Sequence, residues 1–275
     1  AISTHVGALT GSERAYQTAL RQAGIIQVDN LSSLFDLARM FGSQTLPMGP
    51  NLAILTNSGG AGILAADGLA GTSLNLPRLS SGTLSRLSAF LPRHAQISNP
   101  VDIGMDAAPA HYVQAVEEVL RDRHIHMALL VIAPGFGVDL PSIVRELADM
   151  HHAEGRTVAV CLIGQDGVAE ERCFLQSQGL PCYSNPKAAL ASLEAMFRYA
   201  QWKATPYPVE VCYRRDKAKG ERFVKDCLEA GKTELFGFEI QPLLQAYELH
   251  FPHTELARTS KSAAKIAKRM SCPVV

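Results

Sequence analysis

The sequence has no long apolar run and no excess of charge of either sign. No segment approaches the roughly 18 consecutive apolar residues that a membrane helix needs, and the first residues lack the charged and then apolar pattern of a signal peptide. Lysine and arginine together number 26, and aspartate and glutamate together number 26, which gives no electrostatic reason to bind nucleic acid or an anionic membrane surface. We therefore expect a cytoplasmic protein that binds neither nucleic acid nor a membrane.

The sequence also lacks the closely spaced cysteine pairs of structural zinc sites. Its 6 cysteines are scattered, with no Cys-x-x-Cys pair among them, which suits isolated thiols in a reducing compartment. His151 and His152 are adjacent, so their rings would project in different directions from a helix. The sequence therefore predicts no metal site.

The chain does contain an alternation of short apolar runs and helical stretches. Residues 52–55, Leu-Ala-Ile-Leu, predict a strand, and a glycine-rich turn over 56–62 connects it to a helix predicted at 63–69. Strand, turn and helix in this order form the opening unit of a parallel α/β sheet.

The same order of strand and helix recurs along the chain. Continuous apolar strands are predicted at Met127–Ala133 and Thr157–Ile163, and a short edge strand at Leu180–Tyr183. The helices predicted between and after these strands are Leu140–His151, Val168–Gln178 and Pro186–Trp202. Apolar strands that alternate with helices indicate a sheet covered on both faces. We expect five strands in a flavodoxin-like, doubly wound parallel sheet over about residues 50–202.

Segments on either side of this domain resemble parts of other units. A helix at Ser12–Ala23, a short strand at Ile25–Val28 and a helix at Ser32–Met40 are predicted to end another α/β unit. After residue 202 we expect a basic, solvated linker or helix face over 214–220, and then helices at 239–247 and 260–270 with a short strand between them. The chain starts without methionine and stops where an apolar strand is predicted to begin, so we expect a fragment of a longer polypeptide.

The first candidate for chemistry is His5, which lies among small residues just before the first predicted helix. A neutral imidazole can attack phosphorus, and the phosphorylated ring then needs hydrogen bond donors for its oxygens. The unpaired N–H groups at a helix N-terminus supply such donors. A lone histidine in a loop is more often structural, so these residues alone leave both interpretations open.

The second candidate is the turn Thr56-Asn-Ser-Gly-Gly-Ala-Gly62. Such a turn can hold a phosphate or a carboxylate, because glycines let an anion approach the backbone amides. It matches neither the dinucleotide-binding pattern nor the lysine-containing phosphate loop. A tight turn without any ligand is the alternative.

The third candidate is the segment Ser98-Asn-Pro-Val-Asp-Ile-Gly104. Asn99 precedes a proline and is expected to be extended, which would direct its amide into a crevice. The alternative is an Asx-type turn, with Asp102 capping a helix.

In their order along the chain, these motifs resemble those of the nucleoside-diphosphate-forming acyl-CoA synthetases, which are related to succinyl-CoA synthetase. The resemblance begins with Ser-x-His-x-Gly-Ala-Leu-x-Gly-Ser and continues through Thr-Asn-x-Gly-Gly-x-Gly and Asn-Pro-Val-Asp. Further similar segments are 21–26, 34–36, 179–183, 185–186 and 199–202. The resemblance covers nearly the whole chain, and the ordered set is more specific than any single motif.

The resemblance implies that the chain holds parts of several domains. Members of this family contain a CoA-binding Rossmann domain, two flavodoxin-like ligase domains and an ATP-grasp region. By this resemblance, residues 1–46 end the first ligase domain, 48–202 form the second, 203–231 are a linker and 232–275 begin the ATP-grasp region. CoA and ATP or ADP with magnesium are implied for the complete enzyme, together with a homo-oligomer, and the CoA-binding and most ATP-binding residues are not in this chain.

The reaction that the resemblance implies interconverts acyl-CoA, ADP and phosphate with the free acid, CoA and ATP through a phosphohistidine. His5 would be the phosphorylated residue. The glycine-rich turn would stabilise the phosphohistidine, and the Asn-Pro-Val-Asp segment would line a pocket for the acyl phosphate. The residues assigned to phosphate or acyl phosphate in this way are Asn57, Ser58, Gly59, Gly60, Gly62, Asn99 and Asp102.

The chain departs from the family pattern beside the histidine. The family usually has Ser-His-Thr-Gly, whereas Thr4 precedes and Val6 follows the histidine here, so one hydroxyl has shifted.

The sequence does not identify the acyl group or distinguish ADP from GDP. Two other functions stay open, a region of a protein lysine acetyltransferase that senses acyl-CoA, and a flavodoxin-like interaction module without chemistry. An acetyltransferase domain downstream of Val275 would favour the first of them.

Overall fold

The computed structural model describes residues 12–135, 137–150, 156–206 and 215–270. The chain divides into two compact units, with the boundary between Pro206 and Tyr207. Every strand assigned in the described residues belongs to the first unit, and the described part of the second unit contains helices and turns.

One parallel sheet of five strands organises the first unit. The strands are β1 (Leu52–Thr56), β2 (Val101–Asp102), β3 (Met127–Ile132), β4 (Thr157–Leu162) and β5 (Cys182–Tyr183). Their order across the sheet is β2-β1-β3-β4-β5, and β1 pairs with β3 from Leu52↔Met127 to Thr56↔Val131. This is the strand order of flavodoxin-like doubly wound folds, so the predicted fold class is confirmed.

Helices connect and flank these strands. The described part of the first unit contains α1 (Glu13–Gln22), α2 (Leu31–Ser43), α3 (Gly59–Asp67), α4 (Ser81–Phe90), α5 (Pro109–Leu120), α6 (Leu140–Ala148), α7 (Ala169–Ser177) and α8 (Pro186–Ala204). The second unit contains α9 (Lys217–Glu229), α10 (Gln241–Ala246) and α11 (Ser260–Met270). Side chains fix several starts, as at α8, where Asn185 Oδ1 accepts the Ala188 N–H at 2.9 Å.

The sheet is buried on both faces because successive side chains of a strand point to opposite sides. Ala53 and Leu55 of β1 belong to one hydrophobic core, to which α4, α5, α6 and α7 contribute. Leu52 and Ile54 belong to the other, to which α2, α3 and α8 contribute. The continuous apolar strands in the sequence are explained by this two-sided burial.

The structure corrects several predictions of local structure in the first unit. Residues 25–28 form no strand, and α2 extends to Ser43, into a segment that followed the predicted helix. Helix α3 begins at Gly59 and not at residue 63, because the chain is extended at Ser58 and turns into the helix directly after it. Five strands were expected but the sequence named segments for four of them, and the remaining one is β2. It lies in the segment 98–104, for which an extended Asn99 and an Asx-type turn were the alternatives, and it pairs with β1 through Leu55↔Val101.

In the second unit, α9 packs against α10. Gly220 lies against Tyr247, where an added Cβ would come within 2.8 Å of the ring. The basic run predicted as a linker or helix face is helical from Lys217 on, and the Asp216 carboxylate caps this helix by accepting the Lys219 N–H at 2.9 Å. The strand predicted between the last two helices is absent from the described residues there.

None of the helices in the described ranges is long and apolar enough to cross a bilayer.

Candidate functional site

The predicted phosphate-binding turn lies at the carboxyl edge of the sheet, where β1 ends. In this sheet β2 lies on one side of β1 and β3 on the other, and the helix α3 that follows β1 and the helix α6 that follows β3 cover opposite faces. Ligands of such folds bind in the crevice at this topological switch point. The turn at 57–60, the loop after β2 and the start of the loop after β3 all begin at this edge. The position of the turn therefore agrees with a binding site.

Asn57 holds the turn to the end of β3. Its side chain is buried, its Oδ1 accepts the Ala133 N–H at 2.8 Å, and its Nδ2 donates to the Ala133 carbonyl at 3.0 Å. These two bonds continue the pairing of β1 and β3 beyond Thr56. Asn57 was predicted to contact phosphate, but its amide is occupied by the backbone in this structure, so we assign it to positioning the turn.

The first turn of α3 presents its amides at the same edge. The first bond within the helix runs from Gly62 N to the Ser58 carbonyl at 3.0 Å, so the amides of residues 59–61 precede the first intrahelical donor. The Ser58 side chain makes no capping hydrogen bond. Gly60 has open space where a Cβ would be, with nothing within 4 Å. An anion can therefore approach the backbone at Gly59 and Gly60, where the helix dipole favours negative charge.

Two other residues of the turn have structural contacts. The Ser58 N–H donates to Thr56 Oγ1 at 3.1 Å, and Thr56 Oγ1 donates to the Ser58 carbonyl at 3.1 Å. Gly62 is buried, and a Cβ there would lie 2.9 Å from Thr56 Cγ2. The amides of Ser58 and Gly62 are thus engaged within the chain, which leaves Gly59 and Gly60 from the predicted set as donors for an anion.

Asp102 ends β2 beside the first turn of α3. Its Oδ1 accepts the Gly104 N–H at 3.1 Å, which is an Asx-type turn. The alternative that Asp102 caps a helix is wrong, because the N-cap of α5 is Ala108. A Cβ on Gly59 would lie 3.2 Å from Asp102 Oδ2, so this carboxylate is a neighbour of the open amides. Its negative charge would oppose direct contact with phosphate.

Asn99 lies below this edge and not in the crevice. Its Oδ1 accepts the Ile54 N–H at 3.0 Å, and its Nδ2 donates to the carbonyls of Leu52 and Pro77 at 2.9 and 3.0 Å. The side chain therefore takes the place of a neighbouring strand alongside β1. The expectation that this amide points into a pocket for acyl phosphate is not met in the structure, since its polar atoms contact the backbone.

A histidine–aspartate pair that no sequence motif indicated lies at the same edge. His94 Nε2 and Asp106 Oδ1 are 2.9 Å apart, and both side chains are exposed. Gly104, with φ +86°, lies next to this pair, and a Cβ there would come within 2.9 Å of His94 Nε2. The two residues lie in separate loops, and no spacing in the sequence relates them.

The predicted nucleophile, His5, lies outside the described residues, so its position stays a prediction. Among the described residues there is no cluster of three or more histidine, cysteine, aspartate or glutamate side chains arranged to hold a metal ion.

Fold and site together define a doubly wound α/β domain with a helix N-terminus open to anions at its switch point. The chain belongs to the Ligase-CoA domain family, whose family model matches residues 52–205. Residues 1–41 match the model of the succinyl-CoA ligase like flavodoxin domain.

Similar proteins have names that agree with this family. The chain is 31% identical over 278 residues to the ADP-forming acetate–CoA ligase I of Archaeoglobus fulgidus, and covers 39% of that protein. It is 28% identical over 276 residues to the ADP-forming 4-hydroxybutyrate–CoA ligase of Nitrosopumilus maritimus, again covering 39% of it. In both cases the match includes 100% of this chain. The chain therefore spans about two-fifths of the length of these curated relatives.

A solved structure has a similar fold. It is the dinucleotide-forming acetyl-coenzyme A synthetase 1 of Candidatus Korarchaeum cryptofilum in complex with phosphate and ADP, with a TM-score of 0.67 and 25% sequence identity. The similarity covers 73% of this chain and 44% of that one.

Proposed function

We propose that this chain is part of an ADP-forming acyl-CoA synthetase, an acid–thiol ligase that works through a phosphorylated His5. The observation that carries the proposal is the N-terminus of α3, whose amides at Gly59 and Gly60 lie open at the switch point of a Ligase-CoA domain. The family membership and the ADP-forming ligases among the relatives support it.

The chemistry needs an anion site of this kind. Phosphate attacks the acyl-CoA carbonyl, CoA leaves as its thiol, and an acyl phosphate forms. The His5 nitrogen then takes the phosphoryl group and the carboxylate leaves, after which ADP takes the phosphoryl group from the ring. The backbone N–H groups of Gly59 and Gly60 would donate hydrogen bonds to the phosphoryl oxygens of the phosphohistidine and stabilise their negative charge. Asp102 lies beside these donors, and its negative charge would oppose direct contact with the phosphoryl oxygens.

The other components of the reaction are proposed for the complete enzyme. We assign residues 1–46 to the end of a first ligase domain, 48–202 to the second, 203–231 to a linker and 232–275 to the start of an ATP-grasp region. CoA and ATP or ADP with magnesium would bind mainly to domains outside this chain, and magnesium would accompany the nucleotide phosphates. A cytoplasmic location and a homo-oligomer remain predictions.

The acetyltransferase alternative lacks comparable support. The relatives described above are named as ligases, and nothing in the comparisons favours a regulatory region of an acetyltransferase.

The proposal is tested by phosphorylation of the complete protein with radiolabelled ATP and magnesium. We expect a label that is stable in alkali and lost in acid, and that disappears in His5→Ala. His250→Ala is the matched control, because His250 is exposed and lies in the other compact unit. A label that persists in His5→Ala, or no label in the unmodified complete protein, would contradict the proposal.

A further inference from the structure

His94 and Asp106 form a hydrogen-bonded pair at the carboxyl edge of the sheet that the phosphate relay does not use. A carboxylate accepts hydrogen bonds and does not donate them, so His94 Nε2, which lies 2.9 Å from Asp106 Oδ1, carries the ring proton. The other ring nitrogen, Nδ1, has no hydrogen bond partner among the described residues, and the side chain is 60% exposed. The pair therefore holds the ring in one orientation and leaves a basic nitrogen open to a ligand.

The other titratable side chains next to this pair already have partners. Asp102 Oδ1 accepts the Gly104 N–H at 3.1 Å. His111, in the first turn of α5, accepts the Ala108 N–H on its Nδ1 at 3.3 Å. A ring nitrogen that accepts a hydrogen bond loses that bond when it takes up a proton. Of the two histidines here, His94 is therefore the one with a free basic nitrogen.

Gly104 fixes the pair beside the open amides of α3. Its φ of +86° is a conformation that favours glycine, and a Cβ there would lie 2.9 Å from His94 Nε2 and 3.0 Å from Asp106 Oδ1. The pair therefore packs directly against this glycine. The Gly104 N–H is bonded to Asp102, whose Oδ2 would lie 3.2 Å from a Cβ on Gly59. The imidazole ring and the first turn of α3 thus both adjoin Asp102.

The loop that carries Gly104 and Asp106 also reaches across the end of β1. Met105 Cε would lie 2.5 Å from a Cβ on Gly135, in the loop after β3. Because β1 lies between β2 and β3 in the sheet, this contact passes over the carboxyl end of β1, where the turn at 57–60 begins. The Met105 side chain is partly exposed. The site therefore combines hydrogen bond donors, an apolar side chain and a base, which suits an acyl group and a thiol.

We propose that His94, oriented by Asp106, is a catalytic residue that removes the proton from the thiol of CoA as the sulfur attacks the acyl phosphate. His94 Nδ1 takes the proton, a bond forms between the sulfur and the acyl carbon, and the bond from that carbon to the phosphate oxygen breaks. The leaving phosphate then takes the proton from the ring. In the opposite direction the ring carries the proton from phosphate to the departing sulfur. Asp106 stabilises the positive charge that the ring gains for a moment. This inference rests on the proposed function, because it supplies the base for the thiol step of that reaction.

The partial reaction of acetyl phosphate with CoA isolates this step, because it needs neither a nucleotide nor His5. In the complete protein, we expect His94→Gln to slow the formation of acetyl-CoA at pH 7 about 100-fold or more, the usual contribution of a positioned base. The label on His5 from ATP should form normally, since that step involves no thiol. Asp106→Asn should slow the partial reaction less, because the base is kept and its orienting partner is altered.

The dependence on pH distinguishes a base from a residue with a structural task. Above the pKa of a free thiol, about 8.5, CoA is already ionised and needs no base. The rate for His94→Gln should therefore rise about tenfold per pH unit up to about pH 8.5 and should approach the rate of the unmodified protein above it. A structural defect would lower the rate by the same factor at every pH.

His124→Gln is the matched control. His124 Nδ1 lies 3.3 Å from Asp122 Oδ1, and its side chain is exposed. This second histidine–aspartate pair precedes β3 and so lies at the opposite, amino edge of the sheet. We expect the variant to form acetyl-CoA at the rate of the unmodified protein at every pH.

Chemical modification gives a measurement that does not depend on turnover. Diethyl pyrocarbonate attacks free imidazole nitrogens, and we expect CoA to protect His94 but not His124 when the modified peptides are measured by mass spectrometry. Equal modification of His94 with and without CoA, a normal rate for His94→Gln, or a defect of constant size at every pH would overturn the inference. A protein without label on His5 that still forms acetyl-CoA through His94 would contradict the proposed relay alone, so the two failures give different results.

Discussion

At the scale of single residues, the glycines of the turn have different tasks. Gly59 and Gly60 leave their amides open, whereas Gly62 allows α3 to pack closely on β1. A Cβ at Gly62 would lie 2.9 Å from Thr56 Cγ2, but a Cβ at Gly60 would meet nothing within 4 Å. The same substitution should therefore have opposite effects on stability at these two positions.

We expect Gly62→Ala to lower the free energy of unfolding by about 1–3 kcal/mol, because overpacking outweighs the better helix propensity of alanine. Gly60→Ala should raise it by up to about 1 kcal/mol, because alanine loses less backbone entropy on folding. Urea unfolding of both variants measures the two changes. Equal effects at Gly60 and Gly62 would contradict the assignment of separate tasks.

At the same scale, Asn57 and Asn99 show why the sequence alone does not reveal whether an asparagine binds a ligand or the backbone. Both were predicted to face a ligand, and in both the amide is bonded to backbone groups, at Ala133 for Asn57 and at Ile54, Leu52 and Pro77 for Asn99. A buried amide needs partners, and here the ends and edges of strands supply them. The sequence alone does not show whether such a partner is a ligand or the protein.

At the scale of secondary structure elements, one carboxylate joins α4 to the end of α5. Asp122 is buried, and it accepts the Ser80 N–H at 2.8 Å, the Thr83 hydroxyl at 3.0 Å and the His124 N–H at 3.1 Å. Burial by itself raises the pKa of this carboxyl, but the hydrogen bonds from Ser80, His124 and Thr83 outweigh it and lower the pKa to about 2. The charged form is therefore the one that holds the helices together.

Because folding lowers the pKa of Asp122, its charged carboxylate stabilises the folded protein at pH values above the pKa of the unfolded chain, near 3.9. This stabilisation is lost as the pH falls toward the folded pKa of about 2. This lowering of the pKa corresponds to a contribution of about 2–3 kcal/mol to the free energy of unfolding at neutral pH. Asp122→Asn should lower the free energy of unfolding by roughly this amount at pH 7 and should weaken the dependence on pH between about 4 and 2.

Urea unfolding at pH 7, 4 and about 2.5 measures this dependence. Asp139→Asn is the control, because Asp139 caps α6 through the Ser142 N–H but is exposed to solvent, which screens its charge. An Asp122→Asn protein with the stability and pH profile of the unmodified protein would show that the carboxylate does not join the two helices.

At the scale of the whole molecule, several large apolar side chains of α1 and α2 face solvent. Tyr16, Leu31 and Phe35 are 64%, 71% and 59% exposed. These helices lie in or next to residues 1–41, which match the succinyl-CoA ligase like flavodoxin domain. Exposed apolar patches of this kind mark surfaces that other parts of a protein cover, in agreement with the proposal that α1 and α2 end a larger domain.

We expect the 275-residue chain alone to release no CoA from acetyl-CoA in the presence of ADP, magnesium and phosphate, because the proposed CoA-binding and nucleotide-binding domains are needed. The complete polypeptide should release it, and its His5→Ala variant should not. Detection of the free thiol of CoA measures this release for the short chain, the complete polypeptide and the variant. Release by the short chain would mean that the assignment of the missing domains is wrong.

The sequence was sufficient for much of the fold. The apolar runs at 127–133 and 157–163 predicted β3 and β4 to within one residue, and the helix predicted at Ser260–Met270 has those bounds in the structure. These elements are long or strongly patterned, and local sequence specifies them. By contrast, β2 contains two residues, Val101 and Asp102, which are a strand because they pair with Leu55 and Thr56 of β1. No local pattern in the sequence shows this pairing.

The sequence by itself determined the order of strands and helices, the glycine-rich turn after β1 and the family resemblance, because each depends on residues that are neighbours along the chain. The tertiary structure decided which atoms of that turn are open. It bonds Asn57 to Ala133, 76 residues further on, and places Asp102 beside the turn. These groups meet because parallel strands end at one edge of the sheet, so their contacts depend on the pairing of strands that are distant in sequence.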